Sequence, residues 1–423
     1  MSIPIGFQER LFPLLPKIIE HFSTPFHIYD QAGIIADGRR LINAFAGLPF
    51  REFFAVKANP NPAVLRLMQS LGFGFDCSSV PELTLSRQIG ARPEDIMFTS
   101  NNTAPAEFRA AAEQGGCILN LDDITLVPKV PDPFPKLICF RYNPGPRRTG
   151  NSIIGKPEEA KYGVAHEQIV DAYLEAIKRG ASRFGLHTMI CSNELNYEYM
   201  VETVRMLLEV LRLLADRLKI KFEFINMGGG LGIPYKPEDE ELPLERMAEE
   251  IKKLFRAFQD ERGYMPKLFL ESGRWITGPH GVLVTACINQ KHTYREYRGL
   301  DACMSDLMRP GMYYPGGGWH DILIPGKTEN VYIAKTVDVV GSLCENCDKF
   351  AVARGLPEIS EGDIVIIADT GAHGHAMGYN YNGRLRHAEL MLRENGSVEL
   401  IRRAETFEDY VKTLRFEPDV LIT

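Results

Sequence analysis

With 423 residues, the chain is too long for one ordinary core and long enough for two domains, or for one large barrel with an appendage. Its 48 Lys and Arg residues against 55 Asp and Glu give a net charge of -7, and the basic residues are spread along the chain, so no basic footprint for nucleic acid exists and small-molecule chemistry is favoured. The opening MSIPIGFQERLFPLLPKIIEHF carries Gln8, Glu9, Pro13 and Pro16 where a signal peptide has an unbroken apolar core, and no apolar run approaches the roughly 20 residues of a membrane span, so a cytoplasmic protein without membrane contact is expected.

In chain order, TPFHIYD at residues 24–30 reads as a strand. From residue 50, short apolar runs alternate with segments in which apolar residues recur at three and four. The runs are REFFAVKAN, FGFDCSS, DIMFTSN, CILNLDD, KLICFRYNP, RFGLHTMICS, FEFINMGGG and KLFLESGRW. One link is weak, because DDITLVPKVPDPFP is short and rich in proline. Strand and helix alternating eight times predict a TIM-like (β/α)8 barrel, whose active site is built from the C-terminal ends of its strands. Those ends carry Lys57, Asp76, Asn101, Asp122, Arg141, His187 with Ser192, Gly228 to Gly230, and Glu271 to Arg274. Beyond about residue 282, runs such as VLVTACIN, NVYIAKTVDVVGSLC and DIVIIADTG lack a helical period and predict an all-β domain, in which Asn395-Gly396 signals a type I′ hairpin. The expected organisation is a segment 1–30 joining the β domain, a barrel over 31–282 and the β domain over 283–423.

Three features of the rim carry chemistry. Lys57 lies in an apolar run closed by two prolines, and reads either as a strand-end ammonium that snorkels to water or as a Schiff-base lysine. Gly228, Gly229 and Gly230 follow a strand, where bare N–H groups can close on an anion or simply make a tight turn. They lack the spacing of a dinucleotide fold and the Lys-Ser/Thr of a P-loop. Glu271 and Arg274 in LESGRW are either a local ion pair or an acid aimed at a protonated ring nitrogen beside an arginine for a phosphate or carboxylate. Eight cysteines without a secretory signal read as reduced thiols. The single CxxC, Cys344 to Cys347, has no second pair to complete a zinc site, although His373 and His375 could add ligands; no metal is expected.

A lysine for an imine, glycines for a phosphate and a carboxylate for a pyridinium are the parts that pyridoxal 5′-phosphate requires. With FFAVKAN, GFDCSSVPEL, KYG, NMGGGLGIPY, ESGRWITGPHG, CMSDLMRPGMY, VVGSLCEN and GAHGHAMGYNYNGR in order, the sequence resembles the fold type III (alanine racemase-like) pyridoxal-phosphate decarboxylases, most closely the diaminopimelate decarboxylases, over nearly its whole length. The resemblance implies that Lys57 is the Schiff-base lysine, that Asp76, Ser192, Gly228 to Gly230, Glu271, Gly273, Arg274 and His373 bind the cofactor, and that Glu271 meets its ring nitrogen. It further implies that Arg274, Arg309, Tyr313, Glu345 and His373 bind substrate, with Glu345 at the distal ammonium. Cys344 is implied as the catalytic acid, contributed to the neighbouring subunit's site of a homodimer. The implied reaction is decarboxylation of meso-2,6-diaminopimelate to L-lysine. Rival readings are a decarboxylase of ornithine, arginine or a secondary-metabolism intermediate, a racemase on the same barrel, and a catalytically dead binding protein. The chain departs from the family pattern at Met189, where a histidine usually stacks on the cofactor, at Cys191 for glycine, at Asn346 for serine and at His373 for tyrosine.

Overall fold

The computed structural model describes residues 3–314, 318–327 and 335–417. The chain forms two compact units, one of residues 33–234 and 238–277, the other of residues 1–32, 235–237 and 278–423.

The first unit is a closed barrel of eight parallel strands, Phe50–Ala55, Gly74–Cys77, Ile96–Phe98, Ile118–Leu121, Leu137–Asn143, Arg183–His187, Phe224–Asn226 and Lys267–Leu270. The first pairs with the last through Arg51 and Phe269, and the circle also closes between the fourth and fifth, where Leu119 faces Ile138. Phe53, Met97, Cys139, Phe224 and Phe269 fill the barrel interior, with the Phe224 and Phe269 rings stacked at 4.4 Å between centroids. Two glycines make room for this plug: a β-carbon on Gly185 would lie 2.0 Å from the Phe224 ring, and one on Gly74 would lie 2.6 Å from Phe53. This apolar plug lies beneath the C-terminal rim, where a barrel builds its site.

The outer helices begin where side chains can satisfy their free N–H groups. Asn61 accepts from Ala63 ahead of Pro62–Ser70, and Asn196 accepts from Glu198 ahead of the long Tyr197–Leu218. The weak link after the fourth strand folds as a short 3-10 helix, Ile124–Lys129, because Pro128 lacks the donor that an α-helix would use there.

The second unit is all-β in its main sheet. Phe26–Asp30 lies between Gly281–His292, antiparallel, and Ala388–Leu392, parallel. The helices Ile5–Leu11 and Leu15–Phe22 cover one sheet face with Phe7, Leu11, Leu15 and Ile18. Past a bulge between Cys287 and Asn289, the sheet continues through Glu296–Leu300, Lys335–Val340 and Lys349–Leu356. The start of the NVYIAKTVDVV run, residues 330–334, lies outside the described residues. Ala388–Leu392 and Val398–Arg402 form the hairpin expected around Asn395-Gly396, but not with a type I′ turn. Only Gly396 has positive φ, at 82°, and the Arg393 N–H reaches Ser397 O at 2.8 Å, so a three-residue loop with a left-handed glycine joins the strands. One residue more than a type I′ turn holds is thus accommodated without forcing Asn395 into the left-handed region.

Glu389 anchors this unit's interior. Its carboxylate accepts from the Tyr29 hydroxyl at 2.6 Å, pairs with Arg402, and lies 3.6 Å from His375 Nδ1. Burial would raise this acid, but His375, Arg402 and Tyr29 bring it down to about 2. Burial pushes His375 down to about 3. Both groups take up protons in the unfolded chain at higher pH than in the folded one, so the stability they contribute is present above the unfolded values and is lost as pH falls. We expect Glu389→Gln to cost roughly 1–3 kcal/mol at pH 7, and the difference from the parent to narrow below pH 4.5, where the parent's carboxylate begins to lose its advantage. Urea unfolding curves across that range check this.

Candidate active site

The C-terminal rim of the barrel gathers Lys57, Asp76, Asp122, Arg141, His187, Ser192, Gly228 to Gly230, Glu271, Gly273 and Arg274. Lys57 is not inside a strand. It sits in the 3-10 turn Val56–Ala58 after the first strand, its side chain 51% exposed, with Nζ 3.6 Å from Asp76 Oδ2. The apolar residues Val56 and Ala58 beside it are buried, and the turn lifts the lysine side chain out of the core.

Glu271 is the buried hub. Oε2 lies 3.2 Å from His187 Nε2, and Oε1 accepts from Asn226 Nδ2 at 2.7 Å. Burial would raise its pKa, but His187, Lys57 and the Asn226 bond bring it below the ordinary carboxylate range. Asp76 behaves oppositely: burial and the Glu271 charge push it up to about 7, with Lys57 opposing. Nearby Glu52, whose carboxylate accepts from the Ser272 N–H, is driven well above the usual range by burial. Of these three acids Glu271 therefore gives up its proton most readily.

Asn226 also organises the glycines. Its Oδ1 accepts from Gly228 N at 2.9 Å, and Gly228 O in turn accepts from Glu271 N at 2.9 Å. Gly228 and Gly230 have φ of 73° and 104°. A β-carbon on Gly228 would lie 2.4 Å from Thr188 O, one on Gly229 2.5 Å from Glu271 O, and one on Gly230 2.6 Å from Cys191 Sγ. Contrary to the reading of three bare amides, Gly228 N–H is engaged by Asn226, and Gly229 N–H points at the Met189 thioether at 3.2 Å. A thioether is a weak acceptor that an anion would displace. Beside this turn, Arg274 Nη2 donates to Ser192 Oγ at 3.4 Å, and Ser192 N–H donates to Asn151 Oδ1. Arg141 bonds Asn101, Asp122 and the Met189 carbonyl and lies 3.8 Å from the centre of the Tyr162 ring. Sequence reasoning missed Asn226; its place two residues before the glycines, at a strand end, was the available signal.

These residues fit pyridoxal 5′-phosphate. Asp76 Oδ1 and His187 Nδ1 are buried without a hydrogen-bond partner among the described residues, beside a primary amine, an ionised carboxylate and a glycine turn with no side chains. Such a cradle suits a ligand carrying an aldehyde, a basic ring nitrogen and a phosphate.

The remaining expected residues belong to the β unit. Arg309 opens the short helix Arg309–Met312 and is buried; its guanidinium lies 4.1 Å from the Tyr235 ring centre and 5.9 Å from that of Tyr313. At Gly311, alanine in the family motif, a β-carbon would lie 2.0 Å from the flexible Met304 Sδ and 2.9 Å from Cys347 O. Cys344 and Glu345 are gathered by a neighbouring stretch: Cys344 Sγ lies 3.5 Å from the Tyr381 hydroxyl, which donates to Glu345 Oε1 at 3.1 Å, while Cys344 N–H donates to Asn382 Oδ1 at 3.0 Å. Tyr381 and Asn382 were not singled out from sequence, although both lie in the quoted GYNYNGR stretch. His373 has φ of 58°, and it is His375, not His373, that joins the Glu389 cluster. Among the described residues, no group of three or more His, Cys, Asp or Glu converges as a metal-ligand set, and no helix is long and apolar enough to cross a membrane.

Comparison with known proteins extends these observations. Residues 32–278 match the family model described as pyridoxal-dependent decarboxylase, pyridoxal binding domain. The chain is 46% identical to Protein TabA of Pseudomonas amygdali pv. tabaci, over 99% of this chain and 97% of that protein. It is 36% identical to the diaminopimelate decarboxylase of Methanothermobacter thermautotrophicus, over 94% and 92% of the two chains. Among solved structures, the diaminopimelate decarboxylase of Helicobacter pylori complexed with L-lysine superposes with a TM-score of 0.83 at 27% identity, covering 94% of this chain and 98% of that one. The chain belongs to the pyridoxal-dependent decarboxylases of fold type III, and pyridoxal 5′-phosphate is its cofactor.

Proposed function

We propose that the chain removes one carboxyl group from meso-2,6-diaminopimelate, releasing carbon dioxide and L-lysine, the last step of lysine biosynthesis. The observation that carries this reading is Arg309, a buried guanidinium within the RPGMY motif, because a planar fork suits a second carboxylate that lysine or ornithine does not possess. Relatives named diaminopimelate decarboxylase support it.

When bound, pyridoxal 5′-phosphate supplies the electron sink for decarboxylation. Lys57 would hold it through its side-chain amine. Glu271, kept ionised by His187 and Asn226, holds a proton at the ring nitrogen. Gly228 to Gly230, Gly273, Ser192 and Arg274 bind the phosphate side, while Asp76 restrains the Lys57 amine. Arg309 and Tyr313 bind the distal carboxylate and Glu345 the distal ammonium. The Cys344 thiol gives its proton to the α-carbon, the S–H bond breaking as the C–H bond forms, and solvent restores the thiol. Cys344 and Glu345 act in the partner subunit's site of a homodimer.

A second reading, decarboxylation of another basic or diamino acid such as ornithine, arginine or a secondary-metabolism intermediate, is favoured by the departures at Met189, Cys191, Asn346 and His373.

Three measurements test these assignments. Borohydride reduction followed by peptide mapping should place the pyridoxyl group on Lys57; label on another lysine would remove it from this role. Turnover of meso-diaminopimelate should exceed that of lysine and ornithine by a margin worth roughly 2 kcal/mol or more, since an arginine without its anion is costly, and Arg309→Ala should narrow that margin. Equal turnover of ornithine by the parent would favour the second reading. Lys57→Ala and Cys344→Ala proteins should each be impaired, and mixing them under subunit exchange should restore about a quarter of parent activity, because half the dimers are mixed and each has one intact site of two. Heterodimers seen by mass spectrometry without recovered activity would place Cys344 outside a shared site.

A further inference from the structure

The first strand of the barrel carries a buried acid that no motif calls for. Phe53 fills the barrel interior, so the alternation of a strand turns Glu52 to the outer face, yet Glu52 is only 1% exposed. Burial drives its pKa well above the ordinary carboxylate range. An apolar side chain would fill that position without the cost of taking a carboxyl group out of water. What the carboxyl group supplies is an acceptor: it takes the Ser272 N–H, while its Oε2 has no hydrogen-bond partner among the described residues.

This bond falls where the backbone ladder ends. The eighth strand, Lys267–Leu270, pairs with the first through Leu268 opposite Phe50, Phe269 opposite Arg51 and Leu270 opposite Glu52, and the pairing stops there. Two residues further on, the Glu52 side chain accepts from Ser272 in place of a ladder carbonyl. Ser272 is itself buried, and it stands between Glu271 on one side and Gly273 and Arg274 on the other. Gly273 supplies a second contact. A β-carbon there would lie 2.4 Å from Ala58 Cβ and 3.4 Å from Ala55 Cβ, so this segment sits directly on the Val56–Ala58 turn that bears Lys57. One side-chain bond and one glycine contact therefore join the segment of Glu271 and Arg274 to the first strand and its turn.

We propose that Glu52 is a positioning residue for the cofactor, which fixes the segment of Glu271 and Arg274 against the Lys57 turn, so that the Lys57 amine reaches the cofactor aldehyde while the other two hold its ring nitrogen and phosphate. This rests on the reading of Lys57 as the amine that holds the cofactor. Glu52, on the outer face of its strand, acts through the distance between two segments. Its loss weakens a ligand held by both segments more than a ligand held by one.

Competition on holoenzyme reads that difference. Pyridoxal phosphate can join Lys57, the amine adding to the aldehyde carbon and the oxygen leaving as water, whereas pyridoxamine phosphate already has an amine at that carbon and cannot. At saturating pyridoxal phosphate, the pyridoxamine phosphate concentration that displaces half of it reports the ratio of the two affinities. Glu52→Leu has no acceptor, and the Glu52→Asp carboxyl is one methylene short of the Ser272 amide. In both, that concentration should fall about 5- to 10-fold, the scale of one hydrogen bond. Glu52→Gln keeps a carbonyl oxygen at the same reach and should stay within about twofold of the parent. A general loosening of the barrel weakens both ligands together and leaves the ratio unchanged. An unchanged ratio in Glu52→Asp, or a fall in Glu52→Gln equal to that in Glu52→Asp, would overturn the proposal; should Glu52→Leu not fold, the Asp and Gln variants decide alone. Lys57→Ala, measured alongside, separates the failures. If it lowers the displacing concentration and Glu52→Asp does not, the positioning role is wrong and the Lys57 assignment stands. If it leaves that concentration unchanged, the Lys57 assignment falls and the proposal falls with it.

Discussion

One buried carboxylate organises the barrel rim. Removing an ion from water costs several kcal/mol unless partners replace the water, and Glu271 has two, His187 and Asn226. The glycine turn follows from the same contacts, since Asn226 also takes the Gly228 N–H and Gly228 returns its carbonyl to the Glu271 amide. Side chains on three glycines would break this weave, as the close approaches of Thr188, Glu271 and Cys191 show. Burial and the charge at Glu271 raise Asp76 to about 7, so these two rim acids differ in strength and Glu271 gives up its proton first. Such a division of acid strengths is what gives neighbouring carboxyl groups separate tasks.

The β unit is built on a comparable logic with different parts. Glu389 is surrounded by Tyr29, His375 and Arg402 and serves the fold. Arg309 lies against the Tyr235 ring and donates to the His320 imidazole. Cys344 and Glu345, both exposed, are tethered by the adjacent side chains Tyr381 and Asn382. Packing around the motifs absorbs their departures: Met304 fills the space that alanine in place of Gly311 would occupy, and the Met189 thioether lies against the glycine turn.

Much of the barrel was legible because its signals are local. Each strand is a short apolar run, ended by a polar residue or glycine, and the period changes at each helix. Turn chemistry was read less well, because Asn-Gly is compatible with more than one hairpin loop, and the strand register decides between them. The apolar run around Lys57 reads as a strand through the lysine, whereas the strand ends at Ala55 and a 3-10 turn carries the side chain outward. The rim residues were accessible through motifs. Their bonds were not: His187 and Glu271 are 84 positions apart, and His320 and Ala368 are 48 apart, so nothing in the order of residues states that they meet.

The account depends most on Glu271 holding a proton on the cofactor, and nitrogen-15 NMR of holoenzyme loaded with ring-labelled pyridoxal 5′-phosphate at pH 8 reads that proton directly. The predicted result is a protonated ring nitrogen in the parent and a deprotonated one in Glu271→Gln. A deprotonated nitrogen in the parent, or a protonated one that Glu271→Gln leaves unchanged, would contradict it.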